Sequence, residues 1–453
     1  MRATLALTAA TRAELVAALG DPRETAGVLS AQLIDVGGEL TLLARSLTWA
    51  KPEHYLDRTD DGLQLLSPGW VPSFRRAATA GDIALFVHTH PSGDAQFSEH
   101  DDLVDEQLRA VVAQLGINGP YGALLVAGMP TNPNLVARLC TDDGSPQAIT
   151  RFRVVGDRLD FVRTSGARTV READETFDRQ IRLFGTAGQD ILRDLHVGIV
   201  GCGGTGSAVA EQLTRLGVGW LTLIDDDDVT TPTPTRGYGI RVEDVGRCKS
   251  QVLAADLIAI GLGTQIRAIV APLHDRKALD ALAHADVVFC CVDGHGARLI
   301  LNRWAYAHHA PVIDLAVLVA ADGDVSIDAR VTWIAAGSAC LLCRGRIDPS
   351  IAYAENLDPA RRRALAGEGY VIAAESPQPA VVTLTTLVAS MATTELLLRL
   401  FGIGETEASE LLLRPHLHEV RRNRILARRG CFCTDAAFGG RGFTNPYLDL
   451  MWT

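Results

Sequence analysis

The stretch "HVGIVGCGGTGSAVAEQLTRLG" (His196–Gly217) narrows the fold more than any other part of the chain. An apolar run ends at Gly201, Gly203 and Gly206 in G-x-G-x-x-G spacing, with Gly204 beside them, and an amphipathic run follows. That order predicts a buried strand, a tight glycine turn and a helix, with the turn backbone free to approach a phosphate at the helix N-terminus. The alternation continues through "WLTLIDDDD", "KSQVLAADLIAIG", "QIRAIVAPL", "DVVFCCVDG" and "PVIDLAV". Repeated strand–turn–helix units predict an α/β fold with a Rossmann-like, doubly wound parallel sheet, here over residues 176–433.

Before this region the pattern differs. "VLSAQLIDVGGELTLLA" reads as two strands turned at Gly37-Gly38, "GDIALFVHTH" as a strand, and "SEHDDLVDEQLRAVVAQLG" as a helix with an acidic first turn and a glycine end. "YGALLVAG" is another strand, and "ITRFRVVGDRLDFV" a hairpin around Gly156-Asp157. Residues 1–165 thus form a separate mixed α/β domain, "RTSGARTVREADE" a polar linker, and 434–453 an aromatic tail. A length of 453 residues suits two or three such units. With 47% hydrophobic and 21% charged residues the chain reads as soluble and globular, and a net charge of −11 argues against a nucleic-acid partner. Arg12 and Glu14 interrupt the N-terminal apolar run, and five threonines, a serine, a glutamate and an arginine interrupt Ala380–Ile403. Neither a signal peptide nor a membrane span is expected. Nine cysteines, four in close pairs, point to a reducing cytoplasm rather than a disulfide framework.

"HTHPSGDAQFSEHDD" (His88–Asp102) carries the first candidate chemistry. On a strand, His88 and His90 point to one face. Pro91 ends the ladder, and Asp101 follows in the first turn of the next helix. Two imidazoles and a carboxylate form an open zinc site, where a bound water reaches a pKa of about 7. Glu24 in "RETAGVLS" is the candidate base. The plainer account makes Ser98 an N-cap with Asp101 as its partner, and the histidines ordinary strand-end residues. Taken together, Glu24 with Gly27, His88-x-His90-Pro91 and Ser98-x-x-Asp101 resemble the JAMM (MPN-type) zinc isopeptidases, whose domain is cytidine-deaminase-like. The resemblance covers roughly residues 15–160. It implies Zn²⁺ on His88, His90 and Asp101, Glu24 as general acid/base, and Ser98 as an oxyanion partner.

The glycine motif alone fits a dehydrogenase equally well, with Asp225 at ribose-binding distance. Asp227, Arg236, Lys249 and Asp293 distinguish it. Two cations can hold a triphosphate and a further carboxylate can hold Mg²⁺, which carboxylate adenylation needs and hydride transfer does not. With "FDRQIRLFGTAGQ" (Phe177–Gln189), this spacing resembles the ThiF/MoeB-like, ubiquitin-activating family. The resemblance implies ATP as cosubstrate and a homodimer in which Arg179 reaches the partner's ATP site. Where the family usually has asparagine this chain has Thr233, between two prolines; its hydroxyl could still donate a hydrogen bond there. Arg298 and Asn302 read as helix anchors, Asp226 and Asp228 as solvated.

"CLLC" (Cys340, Cys343) and "CFC" (Cys431, Cys433) read as a structural four-cysteine zinc site, the second half shorter than the family's usual CxxC. The alternative is two unrelated thiol pairs. Thioester-forming members carry a nucleophilic cysteine between these pairs, and residues 344–430 contain none. Cys248, beside Lys249, is the remaining thiol worth testing as an acceptor. Together the resemblances imply a bifunctional prokaryotic enzyme acting on the C-terminal glycine of a ubiquitin-like (β-grasp) protein. It would adenylate that carboxylate and cleave bonds made to it, in conjugation (including antiviral defence, with a conjugating enzyme) or in sulfur transfer with a sulfur donor. A non-catalytic ubiquitin-like-binding scaffold is the alternative of a different class.

Overall fold

The structure, a computed structural model, describes residues 3–91, 93–114, 116, 120–140, 146–163, 174–320, 325–357, 361 and 379–442. Most of the expected linker and the tail from residue 443 onward lie outside these.

The N-terminal half is a nine-stranded mixed sheet. Its strands are β1 (Ala3–Thr8), β2 (Ala26–Val36), β3 (Glu39–Trp49), β6 (Ile83–His90), β7 (Tyr121–Met129), β8 (Asn132–Cys140), β9 (Pro146–Ile149), β10 (Arg151–Val155) and β11 (Leu159–Arg163). They lie in the order β11-β10-β1-β3-β2-β6-β7-β8-β9. A small separate hairpin, β4 (Tyr55–Arg58) with β5 (Leu63–Leu65), follows β3. β2 and β3 turn at Gly37 and Gly38, whose φ of 64° and 81° are what a two-residue hairpin loop requires. One sheet face packs on Leu15 and Leu19 of the N-terminal helical segment. The other packs on helices Val71–Thr79 and Glu99–Gln114 through Phe74, Ala77, Leu108 and Val112.

The C-terminal half is an eight-stranded sheet, running in sequence from β12 (His196–Val200) to β19 (Glu419–Asn423). β12 (His196–Val200), β13 (Trp220–Ile224), β14 (Gln265–Ile269), β15 (Val287–Cys290) and β16 (Val312–Ala320) pair in parallel, as expected. β17 (Ser326–Ile334), β18 (Glu410–Arg414) and β19 (Glu419–Asn423) extend the sheet antiparallel, an addition the sequence did not reveal. The strands lie in the order β14-β13-β12-β15-β16-β17-β18-β19. That order reverses between β12 and β15, and the crevice beyond their C-terminal ends is where such sheets bind ligands. Helix Val382–Phe401 is long and apolar enough to cross a membrane by composition. Its Val388, Ala389, Ala392 and Leu396 belong to the sheet's core.

The β10–β11 hairpin packs the halves together. Val155 and Leu159, from β10–β11, are buried in the same cluster as Val197 and Phe289 of the parallel sheet. Arg151 places two guanidinium nitrogens 2.6 and 2.9 Å from the Asp286 carboxylate, and Arg153 lies 3.3 Å from it. Asp286 also accepts the His196 amide at 3.0 Å, so this buried charge is fully partnered. Trp333 Nε1 donates to Gly156 O at 2.9 Å, and His309 Nε2 lies 2.6 Å from Ala44 O.

Candidate functional sites

Pairing register builds the first site. β2 runs antiparallel to β6 with Ala26 opposite His88. Extending that register two residues sets Glu24 opposite His90, and alternation puts Glu24, His88 and His90 on one sheet face. Thr25 and Thr89 lock the extension: Thr89 N donates to Thr25 O at 3.0 Å, and Thr25 N to Thr89 Oγ1 at 2.8 Å. The β4–β5 hairpin holds Glu24 from the other side. Glu24 N donates to Thr59 O at 2.7 Å and Arg58 Nε donates to Glu24 O at 2.5 Å. Sequence reasoning missed this brace, which crosses more than thirty residues of chain.

Ligand atoms of His88, His90 and Asp101 lie within 4.8 Å of one another. His88 Nε2 is 3.0 Å from Asp101 Oδ1, and His90 Nε2 is 3.7 Å from Asp101 Oδ2. Tetrahedral zinc with ligands near 2.05 Å sets such atoms about 3.3 Å apart. Among the described residues buried His88 completes no hydrogen bond at Nδ1, and its Nε2 faces the Asp101 carboxylate, so one ring nitrogen is available to a metal. Glu24 Oε1 stands 3.6 Å from His90 Nε2. Burial pushes the Glu24 carboxyl up to about 7, the range suited to a general base at neutral pH. Burial and the neighbouring His88 push His90 down. Burial alone would raise Asp101; the contact with His88 and the hydrogen bonds from Ser98 outweigh it and hold that carboxyl well below the usual range. Asp101 divides its oxygens. Oδ1 faces His88, while Oδ2 accepts from Ser98 N at 2.7 Å and Ser98 Oγ at 2.8 Å. The capping and metal readings are therefore geometrically compatible. The Ser98 proton is committed to Asp101, so an oxyanion role would need that bond exchanged.

The second site is assembled from backbone. Gly201 has φ 90°, and a Cβ there would stand 2.7 Å from Cys291 O; a Cβ on Gly206 would lie 1.8 Å from Gly201 O. Only glycine permits this close turn. Gly203 caps helix Gly204–Arg215 and faces open space. Asp225 ties the turn to β13, accepting from Cys202 N at 2.6 Å and Asp227 N at 2.9 Å. Lys249 opens the next helix and places Nζ 2.7 Å from Asp227 Oδ2. The Arg236 Cγ lies 3.2 Å from where a Cβ on Gly204 would stand. Exposed Asp293 follows the Cys291–Val292 segment that abuts Gly201, which sets its backbone beside the glycine turn. Arg298 holds that segment, donating to Asp293 O at 3.0 Å and Val292 O at 2.7 Å while paired with Asp314. Carboxylates of Asp225, Asp226 and Asp227 lie within 4.8 Å of one another, which brings Asp226, exposed as expected, into the acidic group. Arg179 is exposed on helix Asp178–Asp194.

Residues 177–433 match the ThiF family. The chain belongs to that family. Residues 6–133 match prokaryotic homologs of the JAB domain, which bears out the JAMM/MPN-type expectation. Over 139 residues the chain is 38% identical to the sulfur carrier protein ThiS adenylyltransferase of Escherichia coli K12, covering 30% of this chain and 55% of that one. Over 173 residues it is 31% identical to the E. coli K12 molybdopterin-synthase adenylyltransferase, covering 38% and 68%. The chain thus spans about half the length of the first relative. Among solved structures, E. coli MccB with succinimide aligns with 57% of this chain and 74% of its own at 17% identity and a TM-score of 0.45.

Within the ThiF region, one expected contact is corrected. Thr233 is fully buried, and its Oγ1 accepts from Thr230 N at 3.0 Å and lies 3.0 Å from Thr230 Oγ1. The hydroxyl closes its own prolyl turn and is buried there. Asn302 anchors as expected: its Oδ1 accepts from Leu341 N at 2.8 Å, tying its helix to the first cysteine pair. The four sulfurs of Cys340, Cys343, Cys431 and Cys433 lie within 4.8 Å of one another. Cys340–Cys431 and Cys343–Cys433 are 3.6 and 3.7 Å apart, against about 3.8 Å for thiolates around tetrahedral zinc. The shortened CFC half therefore reaches as well as a CxxC would. The Cys248 thiol is pushed up by desolvation and by Asp228, which disfavours the thiolate an acyl acceptor needs.

Proposed function

We propose that this ThiF-family chain adenylates the C-terminal glycine of a ubiquitin-like (β-grasp) protein, and that its JAB-type domain hydrolyses peptide or isopeptide bonds made to the same glycine. The observation that carries this reading is the pairing, in one chain, of the Glu24–His88–His90–Asp101 corner with the Arg236–Lys249–Asp293 crevice. Hydrolysis yields a free carboxylate and an amine; adenylation consumes that carboxylate with ATP and releases pyrophosphate. The product of the first reaction is the substrate of the second.

In the first site Glu24 takes a proton from the attacking water and returns one to the leaving nitrogen. His88, His90 and Asp101 would hold Zn²⁺, which when bound supplies Lewis acidity and a nucleophile at neutral pH. In the second, the Gly201–Gly206 turn and the helix N-terminus bind phosphates, Arg236 and Lys249 offset charge building on them, and Asp225 with Asp227 faces the ribose side. Asp293 would hold Mg²⁺. The four cysteines would hold a structural zinc. Arg179 would complete the partner's site in a homodimer.

Sulfur transfer is the second reading. It is favoured by the absence of cysteine in residues 344–430 and by relatives named for sulfur-carrier and molybdopterin pathways. The acyl-adenylate would then pass to a sulfur donor rather than to a conjugating enzyme. The test uses a β-grasp protein ending in Gly-Gly. ATP–pyrophosphate exchange dependent on that protein supports adenylation. Thiocarboxylate formation with sulfide, without a thioester on a conjugating enzyme, selects sulfur transfer. No exchange and no zinc at the histidine site would leave the scaffold alternative.

A further inference from the structure

We propose that Arg138 is the positioning residue that sets the Asp101 carboxylate against His88, a role that rests on reading His88, His90 and Asp101 as zinc ligands. Register puts Arg138 within reach. β6 pairs with β7 so that Phe86 faces Ala123, and β7 pairs with β8 so that Ala123 faces Arg138. Paired residues share a face, so Arg138 rises from the same side of the sheet as Phe86 and His88.

Arg138 grips the chain on both sides of Asp101. Before it, the guanidinium lies 4.0 Å from the centroid of the Phe97 ring, and that ring is 6.1 Å from the His88 ring. After it, Arg138 Nη1 donates to Asp102 Oδ1 at 2.6 Å and Nε to Asp105 Oδ2 at 2.7 Å. Asp105 is buried, and Arg138 and the Cys140 thiol are its side-chain donors. A planar fork that is always charged suits this task; a lysine ammonium could neither span both carboxylates nor stack on the ring.

Without Arg138, buried Asp105 loses its counterion while three further acids crowd the first turn of helix Glu99–Gln114. A helix with side chains at a radius of about 6 Å moves them about 2 Å for a rotation near 20°. Metal ligands tolerate roughly 0.2 Å. Such a rotation confined to the first turn therefore disconnects Asp101, while Leu108 and Val112, about two and three turns further along, keep their core contacts.

The experiment compares Arg138→Ala, Arg138→Lys and Leu108→Ala with wild type in the full-length chain. Zn²⁺ affinity is read by chelator competition. Co²⁺ spectra separate nitrogen- and oxygen-ligated metal from the thiolate charge-transfer band of the four-cysteine site. Arg138→Ala is expected to weaken the non-cysteine site by about 10–100-fold, with Arg138→Lys between it and wild type. Leu108→Ala should lower Tm at least as much yet keep affinity within about twofold of wild type. Unchanged affinity in Arg138→Ala, or an equal loss in Leu108→Ala, would overturn the positioning role while leaving the zinc site standing. A wild-type chain that takes up metal only at its cysteines would overturn both.

Discussion

In the N-terminal half the candidate groups are side chains, driven by β2, β6 and one helix into a corner where Glu24 is only 6% and His88 only 5% exposed. In the C-terminal half they are peptide groups of a glycine turn, ringed by charges such as Asp227 that stand open to solvent. The contrast suits the two activities proposed for the halves. A hydrolytic base at neutral pH needs a carboxyl removed from water, and burial takes Glu24 to about 7. A nucleotide brings its own charge and needs amides, cations and room. One half therefore depends on the altered acidity of a few atoms, the other on backbone shape.

The sharpest way to break this comparison is to remove one group from each half. Glu24→Ala should cut peptide or isopeptide cleavage by roughly 10²–10⁴-fold and leave ATP–pyrophosphate exchange unchanged; Asp293→Ala should do the reverse. A folded variant that loses both activities would mean that the sites are not independent.

Next in size is the joint between the halves. Asp286→Ala removes the buried counterion of Arg151 and Arg153, and should cost about 3–5 kcal/mol. Calorimetry should show the two halves losing stability together, since Val155 and Leu159 of the first domain sit in the core of the second. Two separate transitions, only one of them shifted, would contradict this.

The same seam carries a pH dependence. Burial depresses buried His309 to about 4, so the folded protein holds it neutral. Its contribution is present above the unfolded value of about 6.5 and is lost as pH falls toward the folded value. Tm should therefore drop between pH 6.5 and 4, with a shallower slope in His309→Asn, a substitution chosen because asparagine tolerates the φ of 44° at this position. Identical slopes would remove His309 from the account.

The smallest expected effect tests the Thr233 correction. Thr233→Ala should cost about 1 kcal/mol through the lost Thr230 contacts and leave the KM for ATP within error of wild type. A severalfold rise in KM would restore the hydroxyl to the nucleotide.

Much of this was readable from sequence because it is local. The Gly37-Gly38 and Gly156-Asp157 turns, the His88/His90 alternation and the strand–glycine–helix unit at Gly201 each declare themselves within a dozen residues. Family spacing carried Glu24 and the cysteine pairs across longer gaps. What stayed hidden depends on pairings no short window contains. Arg138 lies in "NPNLVARLC" and looks like any strand cation until β8 is laid beside β7. Arg58 reaches Glu24 across a separate hairpin, and Asp286 meets Arg151 from more than a hundred residues away. Thr233 misled because its type suited a ligand contact, and only the turn's geometry shows the hydroxyl directed inward.

The central claim is that one site prepares the carboxylate that the other activates. Its most direct test offers the enzyme a β-grasp protein ending in Gly-Gly, either free or blocked by a short C-terminal peptide, and measures pyrophosphate release from ATP. Wild type should release pyrophosphate with both forms, and Glu24→Ala only with the free one. Equal release by Glu24→Ala on the blocked form, or none by wild type on either, would contradict the account.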